Sequence, residues 1–144
     1  TQTATATLEV SPGALTDLDL TLSATEVVAG EALGFEVTGS DVYGNSVGPA
    51  DVELSADSEE VILDAATATT IVAGTYTLTA QDGDLSDAET FEVIAGPPAS
   101  VSLELSETDI EEGDSTDAVI TIIDAYGNPS DADWTLTVDR KSVV

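Results

Sequence analysis

The feature that most constrains the fold is a six-residue stretch written twice, Asp41-Val-Tyr-Gly-Asn-Ser46 and Asp124-Ala-Tyr-Gly-Asn-Pro129. Gly-Asn is turn chemistry because both residue types tolerate positive φ, and the proline of the second copy stops an extended run. The two tyrosines stand 83 positions apart, and an ungapped alignment of residues 18–46 with 101–129 finds 10 of 29 positions identical. The chain is therefore a tandem array.

Around each turn the apolar residues alternate. Leu18, Leu20 and Leu22 interleave with Asp19, Thr21 and Ser23, and Leu33, Phe35 and Val37 lead into the first turn. Val52 and Leu54 follow Pro49, while Val61, Leu63 and a Thr/Ala run through Val72 are weaker strand signals. Gly74 to Ala80 alternates cleanly, with Tyr76 placed as a tyrosine corner whose ring enters the core and whose hydroxyl meets backbone. Asp82-Gly83 signals a hairpin, and Phe91 and Val93 finish the set. Residues 26–31 are expected to cross from one sheet to the other. Seven or so short strands at a spacing of about 8–12 residues, with no helical period, predict an all-β fold of tandem sandwich repeats.

The repeat also sets the domain reading. Residues 14–96 make one complete unit. Residues 97–144 begin a second, with Val101, Leu103 and Leu105 matching the first strand, Gly113 matching Gly30, Trp134 and Leu136 standing for Val52 and Leu54, and Val143-Val144 matching Val61-Ile62. Nothing aligned with residues 63–96 follows in this second copy. Residues 1–13 match the end of the first unit, with Thr7, Glu9, Val10 and Gly13 identical to Thr90, Glu92, Val93 and Gly96. They are expected to be the closing strand of a preceding repeat, or a strand donated to another copy. Gly96-Pro-Pro98 is expected to be a short, stiff linker. With no initiator Met, signal peptide or anchor, the chain reads as a mature product or a piece of a longer array.

Composition narrows the setting. The chain of 144 residues carries 29 acidic and 2 basic side chains, no Cys, His or Met, and a net charge of −27, yet it is 42% hydrophobic and can build a core. Such mutual repulsion opposes a compact state until salt screens it, and the Debye length falls to about 3 Å at 1 M. The composition resembles that of haloarchaeal proteins; the alternative is an acidic bacterial adhesin with calcium between its repeats. The charge argues against nucleic acid and anionic membranes as partners, and no apolar run reaches the roughly 20 residues of a membrane helix.

GNxV-type turns after an alternating strand, the GTYTLTA strand and the closing TFEV strand resemble immunoglobulin-like domains of the invasin–intimin and filamin-like kinds, and the repeats of haloarchaeal surface proteins. The resemblance covers essentially the whole chain, with Ser46 where such turns usually carry Pro. It implies immunoglobulin-like β-sandwich repeats of about seven strands each in a non-catalytic extracellular protein: a stalk, filament or surface-layer component that associates with copies of itself. The alternatives are an adhesive module for a glycan or protein receptor, and a tail or decoration protein of a halophilic virion.

Little in the chain supports catalysis. Nucleophile–base pairs want His or Lys, and the chain has no His and a single Lys; zinc wants His or Cys, and both are absent. No cofactor is required. Calcium is the one ion with a physical basis, because hard cations take clustered carboxylate and carbonyl oxygens. Asp41, Asn45 and Asp51 flank the first turn, and Asp124, Asn128, Asp131 and Asp133 flank the second. Glu111, Glu112, Asp114 and Asp117 form a further acidic group near Gly113. The competing reading of all these carboxylates is a solvated acidic face. Tyr43 and Tyr126 are expected to pack beneath their turns, with the Asn closing each one.

Overall fold

Alternation of the apolar residues becomes two sheets closed over one core. A computed structural model describes residues 1–138, so the expected Val143-Val144 match and the basic pair Arg140-Lys141 lie outside the described residues. Thr1–Ile94 form one compact unit, and a second begins at Ala95. The first unit contains β1 (Asp17–Leu22), β2 (Glu26–Val28), β3 (Ala32–Ser40), β4 (Glu53–Ala56), β5 (Ile62–Asp64), β6 (Thr67–Thr69), β7 (Gly74–Asp82) and β8 (Leu85–Ile94). They form two four-stranded sheets in the orders β1-β3-β6-β5 and β2-β8-β7-β4. The expected crossing at residues 26–31 is present: β2 leaves the sheet of β1 and pairs in parallel with β8, Glu26 opposite Glu92 and Val28 opposite Ile94.

The inward residues are those the alternation selects. Leu18 and Leu20 of β1, Leu33 and Phe35 of β3, Tyr76, Leu78 and Ala80 of β7, and Phe91 and Val93 of β8 form one buried cluster. Each fully buried leucine stabilises the unit by about 1.5–3 kcal/mol relative to an exposed one. Tyr76 is the corner residue: its ring lies 5.8 Å from that of Phe91, and its hydroxyl donates to the Val72 carbonyl at 3.0 Å. Asp82 pairs with Leu85, so the β7–β8 hairpin turns on Gly83-Asp84, with Gly83 at φ 61°. β1 lies at the edge of its sheet, where Asp17 and Asp19 point outward and the Leu20 amide is taken by the Asp87 carboxylate at 2.7 Å. A charged, side-chain-capped edge resists pairing with another chain.

The second unit repeats the beginning of the first. β9 (Ser100–Leu105) and β10 (Ala118–Ile123) pair in the register of β1 and β3 shifted by the repeat, Leu103 opposite Ile120 where Leu20 is opposite Val37. Burial does not follow. Leu20 is 2% exposed and its counterpart Leu103 48%, because the described residues of this unit form a single two-stranded sheet. Trp134 and Leu136, expected on a strand, lie in a stretch without strand structure and are exposed. Residues 1–13 likewise carry no strand, and Leu8 and Val10 are exposed. In both places the period-two pattern is written without an opposing sheet among the described residues to bury it.

This contrast gives a mutational test. Leu78→Ala should destabilise the first unit by about 3–5 kcal/mol, whereas Leu103→Ala should cost less than about 1 kcal/mol. Urea titrations in molar salt check both, and similar losses for the two would contradict the burial described.

Candidate functional site

Each Asp-x-Tyr-Gly-Asn turn is organised by its aspartate. Asp41 is 4% exposed and Asp124 3%, the most buried carboxylates among the described residues. Asp41 Oδ1 accepts the amides of Tyr43 and Asn45, each at 2.9 Å, and the Asn45 side-chain amide at 3.1 Å. Its Oδ2 accepts the Asn45 side chain again at 2.9 Å and the Gly13 amide at 2.7 Å. Asp124 repeats this: Tyr126 and Asn128 amides on Oδ1 at 2.8 and 2.9 Å, with the Asn128 side chain and the Gly96 amide on Oδ2 at 2.8 and 2.9 Å. The backbone closes the same loop, since the Asp41 carbonyl accepts from Gly44 and the Asp41 amide donates to the Asn45 carbonyl.

Local chemistry explains the sequence. A carboxylate can accept about four hydrogen bonds, and a short Asp side chain reaches the amides two and four residues ahead. Gly44 and Gly127 take φ of 80° and 92°, the left-handed conformation that bends the loop back. Asn45 and Asn128 do not share it, as among the described residues none other than Gly has positive φ. Asn is there for its side-chain amide, a role that Gly-Asn turn statistics conceal. The Asp-to-Asn spacing of four is the signal that would have found it.

The tyrosines depart from expectation. Tyr43 is 84% exposed and Tyr126 52%, so neither packs beneath its turn. Their backbone amides are bound by the aspartate, and their side chains lie exposed.

Electrostatically, the amide donors outweigh burial. The Asn45 side chain, then the Gly13 amide, hold the Asp41 carboxyl below its ordinary 3.8, at about 2. Burial of Asp124 opposes its charge, yet the Asn128 side chain and the Gly96 amide more than offset this, holding it well below the usual carboxylate range.

Of the candidate calcium ligands, the structure brings Asp41 to Asn45 and Asp124 to Asn128, and surrounds both carboxylates with N–H donors. Asp51 is exposed, its amide 3.5 Å from Asp82 Oδ2, and Asp131 and Asp133 are exposed in a stretch without strand structure. Glu111, Glu112, Asp114 and Asp117 are exposed around Gly113. Among the described residues no three acidic side chains converge as a metal site requires. Asp131 and Trp134 border an open depression of about 430 Å³ against Ile120 and Ile122 of β10. It is the uncovered sheet face of the second unit. Among the described residues no helix is long and apolar enough to cross a membrane.

No family profile and no curated protein sequence matches the chain. Solved structures do. The chain is similar to FdeC, an Escherichia coli adhesin, with a TM-score of 0.58, 22% identity, and coverage of 80% of this chain and 43% of that one. It is also similar to domains 5–6 of the S-layer protein SbsC, with a TM-score of 0.49, 22% identity, and coverage of 83% of this chain and 66% of that one. This chain thus spans less than half the length of the FdeC structure. The fold is an all-β sandwich of the immunoglobulin-like class.

A pH dependence follows from the turn. Because the Asp41 carboxyl titrates below its ordinary value when folded, its stabilisation is full above about pH 4 and fades as pH falls towards 2. The melting temperature of wild type should therefore exceed that of Asp41→Asn at pH 6, and the gap should have narrowed to a small fraction by about pH 2. Comparing the two proteins cancels the titration of the remaining carboxylates. A gap that widens on acidification would contradict the geometry.

Proposed function

We propose that this chain is a segment of an extracellular, non-catalytic protein that acts as a stalk or lattice element built from immunoglobulin-like repeats. The observation that carries this reading is the duplicated turn: the same aspartate binds the same three backbone amides and the same asparagine at positions 83 residues apart. A scaffold rebuilt in such detail along one chain serves spacing and repetition. Its sequence lacks the His and Cys on which nucleophilic and zinc chemistry depend. FdeC, a protein of similar fold, is an adhesin. Association with further copies or neighbouring repeats is the interaction we favour.

A second reading has one observation behind it. Tyr43 and Tyr126 project from equivalent turns, giving each repeat an exposed aromatic tip suited to a glycan or protein receptor. Asp51, Asp131 and Asp133 remain free to meet calcium from solution as part of a diffuse acidic face.

Two experiments test the proposal. Antibody against residues 14–94 should label intact producing cells, and labelling only after permeabilisation would overturn the extracellular assignment. The high-salt setting rests on the net charge of −27. Screening shortens from about 10 Å at 0.1 M to about 3 Å at 1 M, so the melting temperature should climb steeply between these concentrations of NaCl. A melting temperature indifferent to NaCl, but raised by low millimolar calcium, would instead favour ion-bridged repeats.

A further inference from the structure

We propose that each repeat carries a metal-free latch for its own incoming segment: the turn aspartate grips the amide of the glycine 28 residues upstream and fixes where the chain joins the first strand pair. The latch is built twice, from Gly13 to Asp41 and from Gly96 to Asp124, at 2.7 and 2.9 Å. It is a property of the repeat and stands whether or not the protein is extracellular.

Three further observations point the same way. Each latched glycine is followed three residues later by a second anchor, Thr16 N to the Ser40 carbonyl at 2.9 Å and Ala99 N to the Ile123 carbonyl at 2.8 Å. The incoming segment is thereby tied to the end of β3 or β10 before β1 or β9 begins. Space at the grip is tight in the first repeat, since a Cβ at Gly13 would lie 3.3 Å from Asp41 Oδ2. Between the two anchors the repeats use complementary residues. In the first, a Cβ on Gly39 would collide with Leu15 Cδ1, so a large incoming side chain rests on a glycine. In the second the sizes are exchanged, with Pro98 incoming and Ile122 in place of Gly39, and the two border one further shallow depression together with Ala99 and Val101. Substituted together, the pair keeps the incoming segment seated.

The chemistry also says why no cation is needed. Extracellular repeats that rely on calcium give the ion their carboxylate oxygens. Here both oxygens of Asp41 already accept N–H donors, whose positive ends face the space an ion would occupy. The latch therefore holds in a chelator.

Hydrogen exchange by NMR on the whole chain, in about 2 M NaCl with EDTA, tests this. In wild type the Gly13 and Gly96 amides should exchange at least about tenfold more slowly than the exposed amide of Thr5. Asp41→Ala should release Gly13 and leave Gly96 and the core amide of Leu78 protected. Asp124→Ala should release Gly96 and leave Gly13 protected, so each variant is the other's control. If Asp41→Ala does not fold, a through-hydrogen-bond coupling between Gly13 ¹⁵N and Asp41 ¹³Cγ in wild type reads the same contact directly. Coil-like exchange of both glycines in wild type, or protection that appears only when calcium replaces EDTA, would overturn the latch. Loss of Gly13 and Leu78 protection together in Asp41→Ala, with no such coupling in wild type, would do so too.

Discussion

The carboxylate-to-amide hydrogen bond is the interaction on which this structure leans. With 2 basic against 29 acidic side chains, carboxylates have few cations to pair with inside the chain. They turn to the backbone instead. Asp41 and Asp124 organise the turns, Asp87 takes the edge amide of Leu20, Asp57 takes that of Thr77, and Asp82 takes that of Ala50. Bonds from neutral donors to a charged acceptor are stronger than neutral pairs, and they need no counter-charge. An acidic surface and a defined loop structure are thus compatible, because the same residue type supplies both.

Below those loops, stability comes from burial between two sheets. The two units show the same first strands in the same register with and without an opposing sheet, and only the first buries them. Leu18, Leu20 and Leu33 sit against Phe91, Val93 and Leu78 in one cluster. Val101, Leu103 and Leu105 keep their alternation and remain exposed. Hydrogen-bond register and hydrophobic burial are therefore separable here: the first is set within a strand pair, the second by what lies across from it.

Much of this was legible in the sequence, and the misses have physical causes. Period-two alternation located β1, β3, β7 and β8, and the repeat located both turns, because each signal is local. Alternation cannot say whether an opposing face exists, which is why Leu8, Val10, Trp134 and Leu136 were expected in strands and are exposed coil. Aromatic residues near a turn suggest packing, yet what each turn binds of Tyr43 and Tyr126 is the backbone amide, and both side chains are exposed. Composition counts the oxygens around the turns and no more, which is how it raises calcium as a candidate. Whether those oxygens already accept N–H donors, some from 28 residues upstream, depends on tertiary structure.

The parallel pairing of β2 with β8 has a mechanical consequence. β2 lies near the beginning of the repeat and β8 is its last strand, and both run in the same direction. Tension that draws the two ends apart and reaches β2 would pull it backward along its axis and β8 forward along its own. The pairs Glu26–Glu92, Val27–Val93 and Val28–Ile94 would then be loaded in shear, all strained together, instead of being opened one after another as in an unzipping hairpin. A strand of three residues can in this way set the force at which a far larger sandwich yields.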